Sequence, residues 1–189
     1  MFLCYLLGSI PFGYIIPKIK GVDVTKIGSR ATSATNVSRA IGWRWGVVVI
    51  AADVAKGFAA GLLAVRFIPD PWLLNAALVM PVLGHNFPVW LGFKGGRGAT
   101  AAYGVLLAFL GLKVAFIFIP WLMVLLATRV MSFTNLAFTV ALPLIFVAIN
   151  PSPAYFFGGF ILSLVMLWAF RDNLSRIKAG TEPKVKFRW

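Results

Sequence analysis

The sequence predicts an all-α polytopic membrane protein with seven transmembrane helices, its N-terminus outside and its C-terminus in the cytoplasm. The class follows from composition, because 60% of the residues are hydrophobic and only 12% are charged. The mean hydropathy of +0.90 lies well above the range of soluble domains. The orientation follows from the distribution of lysine and arginine along the chain. No segment has the composition of a soluble domain, so residues 1–189 are interpreted as one membrane-embedded domain.

Seven apolar runs supply the predicted helices. In chain order they cover residues 2–19, 45–65, 72–90, 99–110, 114–127, 136–149 and 154–170. The first three approach the length of about 20 residues that a membrane-crossing helix needs. The first run is predicted to be a retained span and not a secretory signal, because its cations Lys18 and Lys20 follow the apolar residues instead of preceding them.

The short fourth and fifth runs are separated only by residues 111–113, so they also admit interpretation as one long helix. With seven spans, every lysine and arginine lies on the inner side except Arg66 and Lys113 outside and Lys56 within a span. A merged helix would move Arg129 and the basic tail to the outer side and make the split roughly even. The positive-inside rule therefore favours seven spans.

The net charge of +13 does not indicate a nucleic-acid partner, because the cations lie in short loops between apolar runs and form no basic helical face. Cys4 is the only cysteine, so no disulfide can form within the chain and no zinc motif can be built. The sequence also offers no coherent Ser/His/Asp triad. We therefore expect neither a metal nor a cofactor.

The most informative stretch is residues 84–100, GHNFPVWLGFKGGRGAT, which contains the only histidine, His85. Its glycines lack a Cβ, so the backbone can turn there and bring N–H groups close to a ligand. If Ala99 begins a helix, these N–H groups lie at its positive end beside Lys94 and Arg97. This pattern predicts a phosphate site at the membrane edge. It is not a nucleotide P-loop, because no Gly-Lys-Ser/Thr follows.

Two further polar clusters precede this stretch. The loop of residues 23–39 is rich in serine, threonine and asparagine and carries Arg30 and Arg39, which suits a phosphate or polyol ligand. The alternative is a solvated loop that follows the positive-inside rule. Asp53 and Lys56, three residues apart inside the second run, are predicted to pair with each other or to line a polar cavity. The alternative is a structural ion pair between helices.

The tail of residues 170–189 forms the last cluster. Arg171, Asn173 and Arg176 are candidates to face the same pocket, and Gly180 is expected to end a short helix. The alternative is an anchor to anionic lipid, because basic tails are attracted to the inner leaflet. His85 also has two interpretations, a hydrogen-bonded structural residue or a catalytic base.

Taken in chain order, these clusters resemble the motifs of the bacterial acyl-phosphate:glycerol-3-phosphate acyltransferase family. The first motif is matched by Ser9, Ile10, Pro11, Phe12, Gly13, Asp23, Gly28, Ser29, Ala34, Thr35, Asn36 and Arg39. The second is matched by Gly84, His85, Phe93, Lys94, Gly95, Gly96, Gly98, Ala99 and Thr100. The third is matched by Asn173, Arg176, Gly180 and Glu182, and Asp53, Lys56 and Gly57 match a further pattern. The resemblance extends over nearly the whole chain and implies the same seven helices.

The chain departs from the family pattern inside these motifs. The family usually reads Gly-Ser-Gly-Asn-x-Gly-Ala-Thr-Asn where residues 28–36 read GSRATSATN. The positions that differ are Arg30, Ala31 and Ser33 in this segment, Thr25 for an arginine, Arg97 for a lysine and Phe170 for a histidine. Arg97 keeps the positive charge but not the compact ammonium group.

The resemblance implies transfer of an acyl group from acyl-phosphate to the sn-1 hydroxyl of glycerol 3-phosphate, giving lysophosphatidic acid and phosphate. It implies the first step of phospholipid biosynthesis, at the cytoplasmic face of a bacterial inner membrane. The acyl-phosphate would contact Gly95, Gly96, Gly98, Thr35, Asn36 and Ser132. Glycerol 3-phosphate would contact Ser29, Arg39, Arg97 and Asn173, which with His85 form the expected catalytic set, and Arg171 would add a substrate contact.

Two alternative functions stay open from the sequence alone. A small-anion carrier would use Asp53, Lys56 and the basic loops as its path, although few polar residues continue into the outer halves of the spans. A weakly active paralogue would bind phosphate lipids without efficient transfer. Acyl-chain preference and oligomeric state do not follow from the sequence.

Overall fold

The computed structural model describes residues 1–185, and all regular secondary structure in this part of the chain is helical. The α-helices are α1 (Phe2–Ser9), α2 (Phe12–Ile19), α3 (Ala34–Ile41), α4 (Trp43–Phe67), α5 (Pro71–Asn86), α6 (Ala99–Leu110), α7 (Ala115–Thr128), α8 (Met131–Ile149), α9 (Pro153–Ala169) and α10 (Arg171–Lys178). Short 3₁₀ turns cover Val24–Lys26, Val89–Leu91 and Gly111–Val114. The all-α prediction is confirmed. Lys186 and Arg188, which entered the charge argument, lie outside the described residues.

The first apolar run forms two helices instead of one. Pro11 has no backbone N–H, and a proline disfavours the helical conformation at the residue before it. Ile10 is accordingly extended, with φ −60° and ψ 114°, and separates α1 from α2. The two helices together make an apolar stretch of 18 residues, long enough to be a candidate membrane span.

The chain divides into two compact units, and the first covers Met1–Phe109. In this unit α4 contacts α1, α2, α3 and α5. It also approaches α6 closely, because a Cβ at Gly57 would overlap the Ala101 carbonyl and a Cβ at Gly104 would overlap the Val54 carbonyl. Such backbone-to-backbone approach between small residues is typical of helices packed in lipid.

The prediction that residues 23–39 form a loop is wrong for the last part of this segment, because α3 begins at Ala34. The Ser33 hydroxyl accepts a hydrogen bond from the Asn36 N–H at 3.4 Å and so caps the helix. One face of α3 then buries Val37 against Val24 and Val49. Capping and this apolar contact explain why a segment with so many polar residues is helical.

The second unit begins at Leu110. In it α8 and α9 form a closely packed pair, since a Cβ at Gly159 would lie 2.7 Å from the Leu142 carbonyl oxygen. The indole Nε1 of Trp121 donates to Asn135 Oδ1 at 3.0 Å and ties α7 to α8. The short α10 is followed by Gly180 with φ +68°, which confirms the expected end of the tail helix.

Four stretches of the described chain are long and apolar enough to cross a membrane: Phe2–Ile19, Trp43–Phe67, Ala99–Thr128 and Met131–Ile149. The pair Pro153–Ala169 and Arg171–Lys178, bent by 63°, gives a fifth if it counts as one broken span. The α5 helix has only 16 residues, or about 24 Å, against a hydrocarbon core of about 30 Å. The number of seven crossings and the side of each terminus therefore stay predictions.

One departure from the family pattern carries a conformational cost. Arg30 has φ +58°, a left-handed conformation that costs a residue with a side chain about 1–2 kcal/mol. The pattern of the family that the sequence resembles has glycine at this position. We expect Arg30→Gly to raise the free energy of unfolding by about 1 kcal/mol, measured by thermal unfolding in detergent. Arg44→Gly, in the helical conformation of α4, is the control and should lower it. A lower unfolding temperature for Arg30→Gly would contradict the expectation.

Candidate active site

The glycine turn, residues 95–98, is held against the last turn of α5. The Gly95 N–H donates to the Asn86 carbonyl at 3.1 Å, and the Gly96 N–H donates to the His85 carbonyl at 3.0 Å. These two N–H groups are therefore directed at α5, which corrects the expectation that they point towards a phosphate. Their role is to fix the path of the turn.

The glycines are needed because α5 leaves no room for a Cβ. At Gly96 a Cβ would overlap Nε2 of the His85 imidazole. Gly98 has φ +82°, and a Cβ there would lie 2.8 Å from both Asn86 Oδ1 and Val82 Cγ1. His85 and Asn86 thus shape the turn through their side chains as well as their carbonyls.

The α6 helix begins at Ala99 as predicted, and the Gly98 carbonyl accepts its first helical hydrogen bond, from the Ala102 N–H at 2.8 Å. The first N–H groups of a helix have no acceptor within it and give that end a partial positive charge. Lys94, five residues before this end, is exposed, and Arg97, two residues before it, is half-buried. The geometry is suited to an anion at the start of α6, on the helix N–H groups and the two cations.

A polar group between α4, α5 and α6, the Asp53 cluster, consists of Asp53, Lys56 and His85, which are buried, and Thr100, which is half-buried. Asp53 Oδ1 lies 2.9 Å from Lys56 Nζ and 3.5 Å from His85 Nδ1. The Thr100 hydroxyl donates to Asp53 Oδ2 at 3.4 Å. The predicted pairing of Asp53 with Lys56 is confirmed.

The ammonium of Lys56 has a second partner at the break in the first span. Its Nζ donates to the Ile10 carbonyl at 2.6 Å. Asp53 is 1% exposed and Lys56 is 6% exposed, so the pair is sealed and does not line an open path. This burial counts against the anion-carrier interpretation.

Asn36 organises the first motif from inside the protein. Its Nδ2 lies 3.0–3.1 Å from the carbonyl oxygens of Val24, Ile27 and Ala31, which share its two hydrogens, and its Oδ1 accepts from the Ser29 N–H at 3.2 Å. The residue is 0% exposed. Its amide therefore sets the shape of the loop that carries Ser29.

Thr25, where the family has arginine, has a local structural role. Its hydroxyl donates to Asp23 Oδ1 at 2.6 Å, and its N–H donates to the same oxygen at 3.1 Å. The hydroxyl contact is the main reason why the pKa of Asp23 is below its ordinary value. Thr25 and Ser33 thus each stabilise the segment in which they replace a family residue.

The remaining candidates of the first motif lie at the surface. Thr35 and Arg39 are exposed and stand four residues apart on α3, so they share one face of the helix. Ser29 is half-buried on the preceding loop. A face with one hydroxyl and one guanidinium can bind a phosphate through two different donors.

In the second unit, Glu182 accepts hydrogen bonds from candidate residues on α8 and α10. Its Oε1 accepts from the Ser132 hydroxyl and from Asn173 Nδ2, both at 2.7 Å, and its Oε2 accepts from Arg176 Nε at 2.6 Å. The single proton of the Ser132 hydroxyl is therefore used by Glu182, so this hydroxyl can accept from a ligand but not donate to it.

The other two residues at the start of the tail lie apart from this group. Arg171 Nη1 donates to the Trp168 carbonyl at 3.0 Å, and its guanidinium lies 4.8 Å from the Trp168 ring centre. Phe170, where the family has histidine, is 3% exposed. Arg171 does not share the Glu182 contacts of Asn173 and Arg176, because its guanidinium turns towards Trp168. The shared pocket of the three residues stays a prediction.

The Glu182 contacts predict a pH-dependent contribution to stability. Burial raises the pKa of Glu182, but hydrogen bonds from Ser132, Asn173 and Arg176 outweigh it and leave the pKa below the ordinary value of 4.5. A lowered pKa in the folded protein means stability that is present above about pH 4.5 and is lost as the pH falls through the folded value. We expect Glu182→Gln to cost about 1–3 kcal/mol near pH 7, because Gln lacks the charge.

Thermal unfolding of the purified protein at several pH values measures this difference. The gap between parent and Glu182→Gln should be constant well above pH 4.5 and should shrink as the pH falls below that value. It should close once the pH is below the lowered pKa of the folded carboxyl, where the parent side chain is neutral. Asp172→Asn, at an exposed position on α10, is the control. A gap that persists unchanged at low pH would contradict the charge-based explanation.

Sequence reasoning missed Asn86, the carbonyl of Ile10 and the contacts of Glu182 within the tail. Asn86 is 4% exposed, its amide adjoins Gly98, and neither polar atom of that amide has a hydrogen-bond partner in the described chain. The sequence did carry a signal for Asn86, because this polar residue directly follows His85 at the end of an apolar run. Within residues 1–185, no three His, Cys, Asp or Glu side chains are grouped to hold a metal.

Comparison with known proteins agrees with this arrangement. The model of the family described as glycerol-3-phosphate acyltransferase matches residues 1–180. The glycerol-3-phosphate acyltransferase of Aquifex aeolicus is 40% identical over 180 residues, covering 94% of this chain and 93% of the relative. That of a Thermus thermophilus strain is 37% identical, covering 98% and 93% of the two chains.

Two solved structures are also similar to this chain. A crystal structure of PlsY (YgiH), an integral membrane glycerol 3-phosphate acyltransferase, in its glycerol 3-phosphate form has a TM-score of 0.90 at 37% identity. The matched residues cover 98% of this chain and 93% of the chain in that structure. The lysophosphatidic acid form has a TM-score of 0.86 at 37% identity and covers 97% and 92% of the two chains. The protein has an integral membrane fold of this kind and belongs to the glycerol-3-phosphate acyltransferase family.

Proposed function

We propose that this chain transfers an acyl group from acyl-phosphate to the sn-1 hydroxyl of glycerol 3-phosphate. The hydroxyl oxygen attacks the acyl carbon, the bond between that carbon and the phosphate oxygen breaks, and phosphate leaves. The hydroxyl proton passes to a phosphate oxygen of the donor. The products are lysophosphatidic acid and phosphate. The observation that carries the proposal is the start of α6, a positive helix end beside Lys94 and Arg97 on a turn fixed by α5.

The donor phosphate is assigned to this start of α6. Gly95 and Gly96 use their N–H groups to hold the turn, so the anion is assigned to the first N–H groups of the helix, with the positive charges of Lys94 and Arg97 close by in the sequence. Negative charge gathers on the departing phosphate during transfer. A positive helix end and Arg97 then stabilise the transition state more than the ground state.

Glycerol 3-phosphate is assigned to the first motif. Arg39 supplies a two-pronged guanidinium, and Ser29 supplies a hydroxyl on the loop that Asn36 shapes. Thr35, expected from the resemblance at the acyl-phosphate, is reassigned to this ligand because it shares the helix face of Arg39. Asn36 is fully buried, so it contributes through the loop and not by contact. The solved glycerol 3-phosphate and lysophosphatidic acid forms of the relative support these two ligands.

No covalent enzyme intermediate is required. An acyl-phosphate is a mixed anhydride with a good leaving group, so positioning and charge stabilisation suffice. The only thiol, at Cys4, is buried and donates to the Ala60 carbonyl at 3.6 Å, which suits a structural role. Ser132 and Asn173, which both donate to Glu182, stay candidate substrate contacts, and the Ser132 hydroxyl can act there only as an acceptor.

We also propose that the chain is one domain with seven spans. The glycine turn and the tail would lie on the cytoplasmic side of a bacterial inner membrane.

The proposal is tested with purified protein in detergent, glycerol 3-phosphate labelled in its carbon chain, and one of two palmitoyl donors. Palmitoyl-phosphate should give labelled lysophosphatidic acid acylated at sn-1, and palmitoyl-coenzyme A should give none above background. Product from the thioester alone would overturn the donor assignment. Product acylated at sn-2 would overturn the position assignment.

The role of Arg39 gives a kinetic prediction. Lysine offers a single ammonium in place of two parallel N–H donors, so Arg39→Lys should lose one charge-assisted hydrogen bond to the substrate phosphate. The KM for glycerol 3-phosphate should rise about tenfold with little change in turnover. Arg44→Lys, an exposed arginine shortly after the end of α3, is the matched control and should behave like the parent. An unchanged KM for Arg39→Lys would remove Arg39 from the site.

A further inference from the structure

Asp53 touches elements on both sides of the glycine turn. Its Oδ1 faces His85 Nδ1 at 3.5 Å, and the other edge of that imidazole fills the space where Gly96 would carry a Cβ. Its Oδ2 accepts from the Thr100 hydroxyl at 3.4 Å, in the first turn of α6. One carboxylate on α4 therefore sets the imidazole under the turn and the start of the helix that follows it.

Lys56 connects the same carboxylate to the first span. Its ammonium lies 2.9 Å from Asp53 Oδ1 and donates to the Ile10 carbonyl at 2.6 Å, at the break between α1 and α2. Just beyond the break, a Cβ at Gly13 would overlap the Thr32 carbonyl of the first-motif loop. The pair thus joins the glycine turn to the region that leads into the other candidate motif.

A role in general stability explains this pair poorly. Removing two charges from water costs several kcal/mol per ion, and buried pairs are often replaced by apolar residues without loss of stability. What an apolar pair cannot reproduce is a fixed carboxylate with two oxygens, each contacting a different side of the turn. The geometry is directional, and that is what positioning requires.

We infer that Asp53 and Lys56 are positioning residues for the glycine turn, acting on the bound donor through His85 and Thr100. The inference rests on the proposed function in one respect, the assignment of the donor phosphate to the start of α6. Asp53 fixes the positions of His85 and Thr100, on the two sides of the turn, relative to each other. Lys56 balances the charge of the Asp53 carboxylate and fixes the orientation of that carboxylate. Neither side chain touches the substrate.

The main test replaces both charges by apolar side chains, Asp53→Leu with Lys56→Met. This double variant should insert and fold, because no unpaired charge remains in the membrane, with some loss of stability because the Ile10 carbonyl and the Thr100 hydroxyl lose their partners. Its KM for palmitoyl-phosphate should rise about tenfold or more, because the turn is no longer held in place. The KM for glycerol 3-phosphate should change little. Parent-like KM values for both substrates would overturn the inference and leave a purely structural ion pair.

A smaller change tests the contact on the α6 side. Thr100→Val keeps the shape of the side chain but removes the hydroxyl that donates to Asp53, whereas Thr100→Ser keeps the hydroxyl. The KM for palmitoyl-phosphate should rise several-fold in the valine variant and return towards the parent value in the serine variant. If the double variant does not fold, the comparison of Thr100→Val with Thr100→Ser tests the inference by itself. Equal KM values for palmitoyl-phosphate in these two variants would overturn the inference.

Binding of inorganic phosphate separates this inference from the proposed reaction. Phosphate should raise the unfolding temperature of the parent, and the rise should be lost in the double variant and in Thr100→Val. If the parent shows this rise but forms no lysophosphatidic acid, the proposed reaction fails and the positioning role stands. If the double variant keeps the full rise, the positioning role fails whether or not the parent is active.

Discussion

Arg97→Ala is expected to lower the turnover of acyl transfer by about 100-fold, the usual scale for the loss of one preorganised charge partner. Arg97 lies half-buried between Gly96 and Gly98, directly before α6. Its charge adds to the positive end of that helix where the proposed donor phosphate leaves. Arg97→Lys should keep or raise the parent activity, because lysine is the residue that the family pattern has at this position.

Initial rates with palmitoyl-phosphate measure this effect, in protein shown to be folded and membrane-inserted. Arg66→Ala, at the last turn of α4, removes a cation predicted to lie on the opposite side and should leave the rate unchanged. If Arg97 only marks the cytoplasmic face, Arg97→Ala turns over at the parent's rate. That result would overturn the placement of the donor phosphate at the start of α6.

Gly96→Ala is expected to lower activity nearly as much, about 100-fold. The new Cβ would overlap the His85 imidazole, and that imidazole is itself buried against Asp53 and cannot retreat freely. The turn must then move away from α5, which weakens the hydrogen bond from the Gly96 N–H to the His85 carbonyl. The start of α6 would move with it, so the loss should appear in the KM for palmitoyl-phosphate and in turnover.

Gly92→Ala is a matched control four residues earlier. Gly92 has φ +57° and no atom within 4 Å of its ideal Cβ, so alanine there meets backbone strain but no neighbour. We expect it to cost some stability and to keep most of the activity. Gly96 is not in the left-handed region, so alanine there meets His85 without that strain. Equal losses in Gly92→Ala and Gly96→Ala would contradict a specific role for the contact with His85.

Much of the fold was predictable because apolar runs, and the residues at which helices begin and end, are local features of the sequence. Ala99 begins α6, Gly180 follows the tail helix, and Asp53 pairs with Lys56, each as its local spacing predicts. The α3 helix carried a local signal too, because Ser33 precedes Asn36 by the three residues that an N-cap hydrogen bond needs. It was masked by the polar composition of the segment.

The contacts that shape the candidate site were not predictable in the same way. The Gly96 N–H turns inward because the chain folds back onto a carbonyl eleven positions earlier, and no spacing rule encodes that return. Ser132 donates to Glu182, fifty positions later, and so becomes an acceptor for any ligand. Residue type indicated that these groups are polar and are candidates for the site, but only their tertiary partners decide which atoms stay available.

The central claim is direct transfer from acyl-phosphate to glycerol 3-phosphate, and phosphate release tests it most directly. Purified protein is mixed with palmitoyl-phosphate, and phosphate and lysophosphatidic acid are measured together, with and without glycerol 3-phosphate. Direct transfer should release one phosphate per lysophosphatidic acid when glycerol 3-phosphate is present. Without glycerol 3-phosphate it should give no enzyme-dependent phosphate release and no acylated protein. A stoichiometric burst of phosphate without glycerol 3-phosphate, accompanied by a palmitoyl adduct on the protein, would contradict it.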